Sequence, residues 1–378
     1  MPFSDKNTLE MPGETLIRSP DFGKKILQKI HALSLQLEKP VKIMHVCGTH
    51  EHTLAEHGLR SPNIIPSNVE IIAGPGCPVC VCPTEDIDRA IELTKIPKVI
   101  LTTFGDMIRV PSTHSSLSAE KAKGADIRIV YGPADAIKIA YDNPDKEVIF
   151  FAIGFETTAP LLALELNNSP PTNFSVLSTH KIIPPAMELM INLPDFKLDG
   201  YICPGHVATI IGMEPFIKFS QKHQFPNVIA GFEPNDMLLA IYILLTLIKN
   251  AECYAINEYT RVVRPEGNRI AQKYMDEVYT VKDSKWRGIG VIHRSGLELG
   301  VKYRDYDALH RFELLPLESQ DIPPGCSCHL VLIGKKKPEQ CSLYAKKCTP
   351  ITPVGPCMVG NEGSCRISYI YRSRHKIA

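Results

Sequence analysis

The sequence has almost no excess of charge and no long apolar segment. Its 42 Lys and Arg residues are balanced by 41 Asp and Glu residues, for a formal net charge of +1. This balance predicts no nucleic-acid partner and no binding to a membrane surface. The longest apolar run, residues 237–248, is too short to span a bilayer and predicts a buried helix. The N-terminal MPFSDKNTLEMPGETLIR lacks the apolar region of a secretory signal, so a cytoplasmic location is expected.

Cysteine, by contrast, is plentiful, with 12 residues in a chain of 378. Structural disulfides are uncommon in the cytoplasm, so this number favours metal binding or redox chemistry. One group near the N-terminus comprises Cys47, Cys77, Cys80 and Cys82. A second group, in the tail, comprises Cys326, Cys328, Cys341, Cys348, Cys357 and Cys365.

Short apolar runs alternate with helical stretches through the middle of the chain. The predicted strands are 41–46, 69–74, 99–105, 127–132, 147–154, 174–179, 199–205 and 227–231. Such alternation predicts an α/β fold with parallel sheets, either one large sheet or two smaller ones. Gly-Phe-Glu recurs in AIGFETTAP (152–160) and IAGFEPND (229–236), which favours two related α/β units. The turn at 143–147 is the expected boundary, giving α/β domains over 41–143 and 144–235.

Titratable and thiol side chains follow many of these strands. Because ligands bind beyond the carboxyl ends of strands in open α/β sheets, we expect these residues to gather at one edge. They are Cys47, Cys77, Cys80, Asp106, Glu156, His180, His206 and Glu233.

Cys47 stands in CGTHEH, between a predicted strand and a predicted helix. A thiol at a helix N-terminus has its pKa lowered by the helix dipole, which favours a nucleophile or a metal ligand. His50 and Glu51 would add a base and an acid within one turn. The alternative is a small buried cysteine at a tight turn.

GPGCPVC gives Cys77 and Cys80 the C-x-x-C spacing, which chelates a metal or closes into a reversible disulfide. Cys82 is more simply a buried thiol, and Cys253 inert packing, whereas Cys203 fits burial and a site role equally. Glu156, in GFETTAP, precedes a helix predicted to start at Thr157 or Thr158, and it is either a catalytic carboxylate or a local cap. His206, in PGHV, is likewise either catalytic or structural, and Glu233 of GFEP shares the strand-end location.

The tail offers a metal site of two possible kinds. Zinc sites usually contain tight C-x-x-C pairs, and this tail has none, so its longer, irregular gaps favour a four-cysteine iron–sulfur cluster. Four predicted ligands spread over the segment: Cys326, Cys341, Cys348 and Cys365. Cys328 and Cys357 are then a nearby dithiol or disulfide.

Taken together, CGTHEH, GPGCPVC, FGDMIRVP, GFETTAP, PGHV, GFEP and the terminal CTPITPVGPCMVGNEGSC resemble the hydrogenase maturation protein HypD family from about residue 40 onward. The resemblance implies a metallocofactor-assembly scaffold with redox activity, on which the Fe(CN)2(CO) unit of [NiFe]-hydrogenase is built. It implies a third domain formed by residues 1–40 and 236–378. It also implies two partners, the small chaperone HypC and the cyanide-supplying HypE.

Residue by residue, the resemblance implies that Cys47 holds the iron together with a cysteine of HypC. Cys77 and Cys80 would be a redox-active pair, and Cys328 and Cys357 a cluster-proximal disulfide, as in ferredoxin–thioredoxin reductase. A [4Fe-4S] cluster would be held by Cys326, Cys341, Cys348 and Cys365. Gly360 stands where the family commonly has Ser, a change that leaves the ligands intact.

Two other classes use similar residues. A free-standing [4Fe-4S]-dependent thiol–disulfide oxidoreductase would share the cluster and the C-x-x-C pair but bind no iron at Cys47. A hydro-lyase with an open cluster iron needs only three ligands, and this tail offers at least four.

Overall fold

A computed structural model of the chain describes residues 13–194 and 196–372. The strands are β1 Val41–His45, β2 Val69–Ala73, β3 Val99–Thr103, β4 Ile127–Ile129, β5 Glu147–Ala152, β6 Phe174–Ser178, β7 Gly200–Pro204, β8 Asn227–Ala230, β9 Ala255–Asn257, β10 Tyr279–Trp286 and β11 Gly290–Leu299. The α-helices are α1 Glu14–Ile17, α2 Pro20–Ser34, α3 Gly48–Glu56, α4 Pro78–Val81, α5 Thr84–Thr94, α6 Leu117–Ala122, α7 Pro133–Asp142, α8 Ala159–Asn167, α9 Ile183–Ile191, α10 Gly205–Ile211, α11 Glu214–His223, α12 Pro234–Lys249, α13 Arg269–Val278, α14 Ala308–Arg311, α15 Cys328–Leu332 and α16 Ser364–Tyr371. Short 3-10 helices span Met107–Arg109, Val301–Tyr306, Pro338–Gln340 and Pro356–Met358.

The predicted α/β class is confirmed, with two parallel sheets rather than one. The larger sheet has the strand order β2-β1-β7-β8-β9, and the smaller has the order β4-β3-β5-β6. All eight predicted strands form, and every pairing within these two sheets is parallel. Helices connect the consecutive strands, as parallel pairing requires.

The strands do not divide between the sheets at the predicted boundary near residue 143. That boundary falls between β4 and β5, which belong to the same sheet. The chain builds β1 and β2 of the larger sheet, leaves it to build all four strands of the smaller sheet, and then returns with β7. Each predicted domain range, 41–143 and 144–235, is therefore shared between the two sheets. The domain ranges themselves stay predictions from the sequence.

Alternating side chains along the strands separate three apolar cores. In β5, Val148 and Phe150 pack with α7 and α8 on the outer face of the smaller sheet. Ile149 and Phe151 point the opposite way, into a core that also contains Met44 of β1. Strand residues alternate between the two faces of a sheet, so each sheet contributes one face to this shared core. The same core contains several tail cysteines together with Cys77, Cys80 and Cys82.

The range predicted as a third domain is not set apart from the larger sheet. β9 joins that sheet, and α2 packs against α12, which covers the sheet's outer face. The tail helix α16 packs instead against α3. Residues 1–12 and 373–378 of the predicted third domain lie outside the described residues. Within the described residues, no helix is both long and apolar enough to cross a membrane.

An antiparallel hairpin of β10 and β11 was not predicted. Its residues mix charged and apolar side chains without a clean alternation, which hides the strands from a pattern-based analysis. In α5, Thr84 is the first helical residue and Pro83 is the N-cap. The Thr84 backbone N–H is satisfied by Asp321 Oδ1 at 3.0 Å, so the tail supplies the capping acceptor.

Candidate functional site

Cys47 lies in the turn between β1 and α3, where it is the N-cap residue of the helix. The turn packs against the GPGC loop, since a Cβ atom built at Gly76 would lie 2.2 Å from the Val46 carbonyl carbon and 2.3 Å from the Cys47 nitrogen. Gly48 donates its N–H to the Gly76 carbonyl at 3.2 Å. Only glycine allows this approach, so the two predicted motifs lie side by side as expected. Cys47 keeps partial contact with solvent.

The Cys47 thiol differs from the prediction in its acidity. Burial raises its pKa to about 11, and the nearby Glu362 carboxylate acts in the same direction. The backbone N–H groups of His50 and Thr49, at the start of α3, oppose this rise. The helix terminus therefore acts in the predicted direction, but desolvation outweighs it.

A disulfide joins Cys77 and Cys80, whose Cα atoms are 5.2 Å apart. Cys77 is the N-cap of α4, and the Cys80 N–H donates to its sulfur at 3.2 Å. Both residues are buried. The predicted pairing is thus present in the structure, whereas its redox cycling stays a prediction.

The helix α4 also contacts the tail. It packs against the 3-10 helix Pro356–Met358, which carries Cys357. A Cβ atom built at Gly360 would lie 3.4 Å from the Cys77 sulfur, so the MVGNEG loop covers this cysteine. The disulfide segment therefore lies between the Cys47 turn and the tail cysteines.

All six tail cysteines line one pocket, together with Tyr344, Gly355 and Met358. Five are buried and Cys326 is half-buried. A Cβ atom at Gly355 would lie 2.7 Å from the Cys326 sulfur, so glycine is required for the wall to close around the thiols. The Val354 N–H donates to the Cys348 sulfur at 3.3 Å, the kind of contact that favours a thiolate.

Cys328 and Cys357 are free thiols in contact with each other. Interactions with the sulfurs of Cys326 and Cys357 lower the pKa of Cys328. Interactions with Cys328 and Cys365 raise the pKa of Cys357. The predicted pair is therefore adjacent to two predicted cluster ligands, Cys326 and Cys365.

His50 and Glu51 are held in other contacts. His50 Nε2 lies 3.0 Å from the Gly231 carbonyl, and burial lowers the pKa of this histidine to about 3. Burial disfavours ionisation of Glu51, but the Arg60 guanidinium outweighs it and holds the pKa of this carboxyl well below its usual range. Glu51 also contacts His45 Nε2 at 2.7 Å. We interpret both residues as structural contacts that hold α3 against the larger sheet, rather than as a base and an acid for Cys47.

The remaining predicted residues do not share one edge, because they belong to two sheets. Glu156 follows β5 of the smaller sheet, and burial raises its pKa to about 7. Its Oε1 accepts the Ile183 N–H at 2.9 Å, while Oε2 has no hydrogen-bond partner among the described residues. His180, at the end of β6, is also buried, and burial lowers its pKa to about 3.

His206 and Glu233 lie at the larger sheet, but the residues they contact are not those that surround Cys47. The His206 ring stacks on Phe232 with centroids 3.8 Å apart. Glu233 is the N-cap of α12 in a capping box with Asp236, and it pairs with Arg18 at 3.1 Å. Both residues therefore make local structural contacts, and a catalytic role for either stays a prediction.

Asp106 does reach the site, and Glu362 is a member that the sequence analysis missed. Asp106 Oδ2 accepts the Asn361 N–H at 2.9 Å, so the β3 loop holds the MVGNEG loop. Glu362 lies over the start of α3, with its Oε1 3.4 Å from Thr49 Oγ1. Its distance in sequence from Cys47 gave no spacing signal for this contact. The remaining thiols, Cys82 and Cys203, are buried, whereas Cys253 is partly exposed.

The fold and these thiols define a class of protein: a parallel α/β protein whose N-terminal cysteines meet a cysteine-lined pocket formed by its own tail. A family model described as "HypD: Hydrogenase formation hypA family" matches residues 21–372. The chain therefore belongs to the HypD family.

Curated relatives agree with this assignment. A hydrogenase maturation factor HypD2 of Bradyrhizobium diazoefficiens is 43% identical over 344 residues, covering 88% of this chain and 90% of that protein. HypD of Escherichia coli is 41% identical over 350 residues, covering 92% and 93%. HypD of Rhodobacter capsulatus is 40% identical over 368 residues, covering 94% and 96%. Each of the three is named as a hydrogenase maturation factor.

Proposed function

We propose that this HypD-family chain is the scaffold on which the Fe(CN)2(CO) group of [NiFe]-hydrogenase is assembled, and that its thiols carry electrons to that site. One observation carries the proposal. The segment that bears the Cys77–Cys80 disulfide contacts the Cys47 turn through Gly76 and the 3-10 helix of Cys357 through α4. Three groups of thiols thus form a continuous series from the tail pocket to Cys47.

The tail pocket fits an iron–sulfur cluster better than a zinc ion. Structural zinc requires four ligands that converge on one point, each about 2.0–2.3 Å from the metal. Among the described residues, no group of three or more His, Cys, Asp and Glu side chains is placed to hold a single metal ion. Six thiols surround a pocket instead, which suits a cluster whose irons each take a separate thiolate. The proposed ligands of a [4Fe-4S] cluster are Cys326, Cys341, Cys348 and Cys365.

Cys47 is the proposed ligand of the iron that is being assembled. Low-spin iron that carries cyanide and CO favours a soft, strongly donating thiolate. The partial exposure of Cys47 leaves room for a second thiolate from a partner, for which we propose the chaperone HypC. The backbone N–H groups of Thr49 and His50 favour the thiolate form of Cys47 once the thiol proton leaves. Cyanide would be supplied by HypE.

The thiol pairs are proposed to act by exchange. The Cys328–Cys357 dithiol is oxidised to a disulfide while the Cys77–Cys80 disulfide is reduced to two thiols, so two electrons and two protons pass from one pair to the other. A bound cluster would supply single electrons at low potential for the return of Cys328 and Cys357 to the dithiol. The reduced Cys77 and Cys80 then lie beside the Cys47 turn, where the assembly chemistry requires electrons.

Infrared spectroscopy of the protein, isolated anaerobically from cells that contain HypC and HypE, tests the proposal. Cyanide and CO stretching bands are expected, and the cyanide bands should be absent when HypE is missing. A free-standing oxidoreductase would hold the cluster and cycle its thiols without showing either band under any condition. The cytoplasmic location and the absence of a nucleic-acid partner stay predictions from the sequence.

A further inference from the structure

Arg287 is a fully buried cation in the turn of the β10–β11 hairpin. Its backbone N–H donates to the Val81 carbonyl at 2.9 Å. Its Nε donates to the Asp321 carbonyl at 2.8 Å, and its Nη2 donates to the Pro111 carbonyl at 3.1 Å. Its Nη1 is buried and has no hydrogen-bond partner among the described residues. All acceptors around the side chain are thus neutral backbone groups.

No carboxylate of the described residues lies within ion-pair distance of this guanidinium. Asp321 accepts the Arg287 Nε–H with its backbone carbonyl, but its carboxylate is already engaged. Lys285 Nζ lies 3.2 Å from one of its oxygens, and the Thr84 N–H donates to the other. An uncompensated buried charge costs several kcal/mol. An anion nearby would offset this cost.

The hairpin turn that carries Arg287 lies between the disulfide segment and the tail pocket. Val81, which accepts its N–H, stands between Cys80 and Cys82. On the other side, Gly288 packs so tightly on the tail that a Cβ atom there would lie 2.6 Å from His329 Cβ, one residue beyond Cys328. Arg287 directly precedes Gly288 and Cys328 directly precedes His329, so this contact brings the two chain segments together.

We propose that the positive charge of Arg287 partly balances the negative charge of the tail cluster. This charge then raises the reduction potential of that cluster. The inference rests on the proposed function, since it requires a [4Fe-4S] cluster in the tail pocket. Such a cluster with four thiolates carries net negative charge, and reduction adds one more. A buried cation beside it therefore stabilises the reduced form more than the oxidised form. Arg287 acts on the cluster through space and is a positioning and tuning residue, not a ligand.

The test compares reconstituted, cluster-loaded proteins in an anaerobic redox titration followed by electron paramagnetic resonance. Arg287→Gln and Arg287→Met remove the charge with two different shapes, and Arg287→Lys keeps it. Lys285→Met is the matched control, because it removes a paired, partly exposed charge from the same hairpin. At a given potential, the ratio of oxidised to reduced cluster should be at least tenfold higher in the two neutral variants than in wild type. For a one-electron couple, a tenfold change corresponds to a midpoint potential lower by about 59 mV. The Lys variant and the Lys285 control should stay close to the wild-type midpoint.

Several outcomes would overturn the inference. A wild-type midpoint in the neutral variants would show that the charge does not tune the cluster, and an equal shift in Arg287→Lys would show that shape matters instead. If both neutral variants fail to fold without the cluster while the Lys variant folds, the charge serves the protein's own fold. If the neutral variants fold but lose the cluster and the Lys variant keeps it, the inference is supported. A wild-type protein without iron and sulfide would instead contradict the proposed function itself.

Discussion

Glu362 lies directly over Gly48, so that a Cβ atom built at Gly48 would be 2.2 Å from Glu362 Cβ and 2.8 Å from its carbonyl oxygen. These residues come from opposite ends of the chain, and they bring the tail's MVGNEG loop against the helix that begins after Cys47. The loop is held on its other side by Asp106. The loop can lie over the proposed iron site only because residue 48 is a glycine, since the loop leaves no space there for a side chain.

Gly48→Ala is expected to displace this loop and to lower the free energy of unfolding by about 1–3 kcal/mol, since overpacking forces the backbone to move. Denaturant unfolding measures the loss, and iron loading at Cys47 should fall with it. Gly105→Ala is the control, because its nearest contact would be an ordinary 3.7 Å from Ile129. Equal stability of the two variants would contradict the close packing described here.

Cys47→Ala should leave the fold and the brown cluster chromophore intact but abolish iron–cyanide loading. The thiol lies at the end of β1, outside the tail pocket, so its loss removes no proposed cluster ligand. Infrared bands and visible absorption of the same sample give both results. Retention of normal cyanide bands in the variant would remove Cys47 from the role of ligand.

Cys341→Ser and Cys348→Ser should each lose the cluster, because each removes one of four thiolates. Wild-type protein should contain about four irons and four inorganic sulfides per chain in the cluster, as four-cysteine ligation requires. Iron held at Cys47 comes in addition. Chemical analysis of iron, sulfide and zinc decides the matter, and one zinc without sulfide would make the tail a structural zinc site.

Cys77 and Cys80 should switch between the disulfide and the labelled thiol form in alkylation mass spectrometry of oxidised and anaerobic samples. Re-reduction by a low-potential donor should require the cluster, because Cys328 and Cys357 lie between the cluster ligands and α4. The comparison is with the cluster-free Cys341→Ser variant. Equal re-reduction in both proteins would mean that the two groups of cysteines are electronically separate.

Glu156→Gln should make unfolding less dependent on pH. Burial raises the pKa of Glu156 from 4.5 to about 7 in the folded protein. The folded state then binds more protons than the unfolded state between these values, so wild-type stability falls as pH rises from 4.5 to 7. The variant cannot ionise, and the Gln oxygen can still accept the Ile183 N–H. The difference in free energy of unfolding between the variant and wild type should therefore shift in favour of the variant by up to about 3 kcal/mol from pH 4 to pH 8. Parallel pH profiles in denaturant titrations would contradict this expectation.

The sequence predicted the elements of the fold better than their assembly. Eight strands and the buried helix α12 follow from local apolar patterns, which depend on few neighbouring residues. The division of strands between sheets depends on where a connection crosses over, and no local pattern records that choice. The contacts of His50 with Gly231 and of Glu362 with Gly48 were missed for the same reason, since both join segments far apart in the chain.

Within the site, the thiols were predicted well because cysteine spacing reflects chemistry directly. The pairing of Cys77 with Cys80 and the common pocket of the tail cysteines both appear in the structure. The acidity of Cys47 was predicted in the wrong direction, because the sequence reveals the helix terminus but not the depth of burial. Arg287 was overlooked because nothing in the sequence distinguishes a buried arginine from an exposed one.

The return of the chain to the larger sheet also constrains the order of folding during synthesis. Lys42, in β1, donates its backbone N–H to Asp199 Oδ2 at 2.8 Å, across a separation of 157 residues. At the usual 5–20 residues per second, β1 waits about 8–30 s on the ribosome before its partner β7 is made. The smaller sheet, whose strands all lie in between, can fold during that interval. The Cys47 turn therefore acquires its permanent surroundings late, because the tail that covers it is translated after β7.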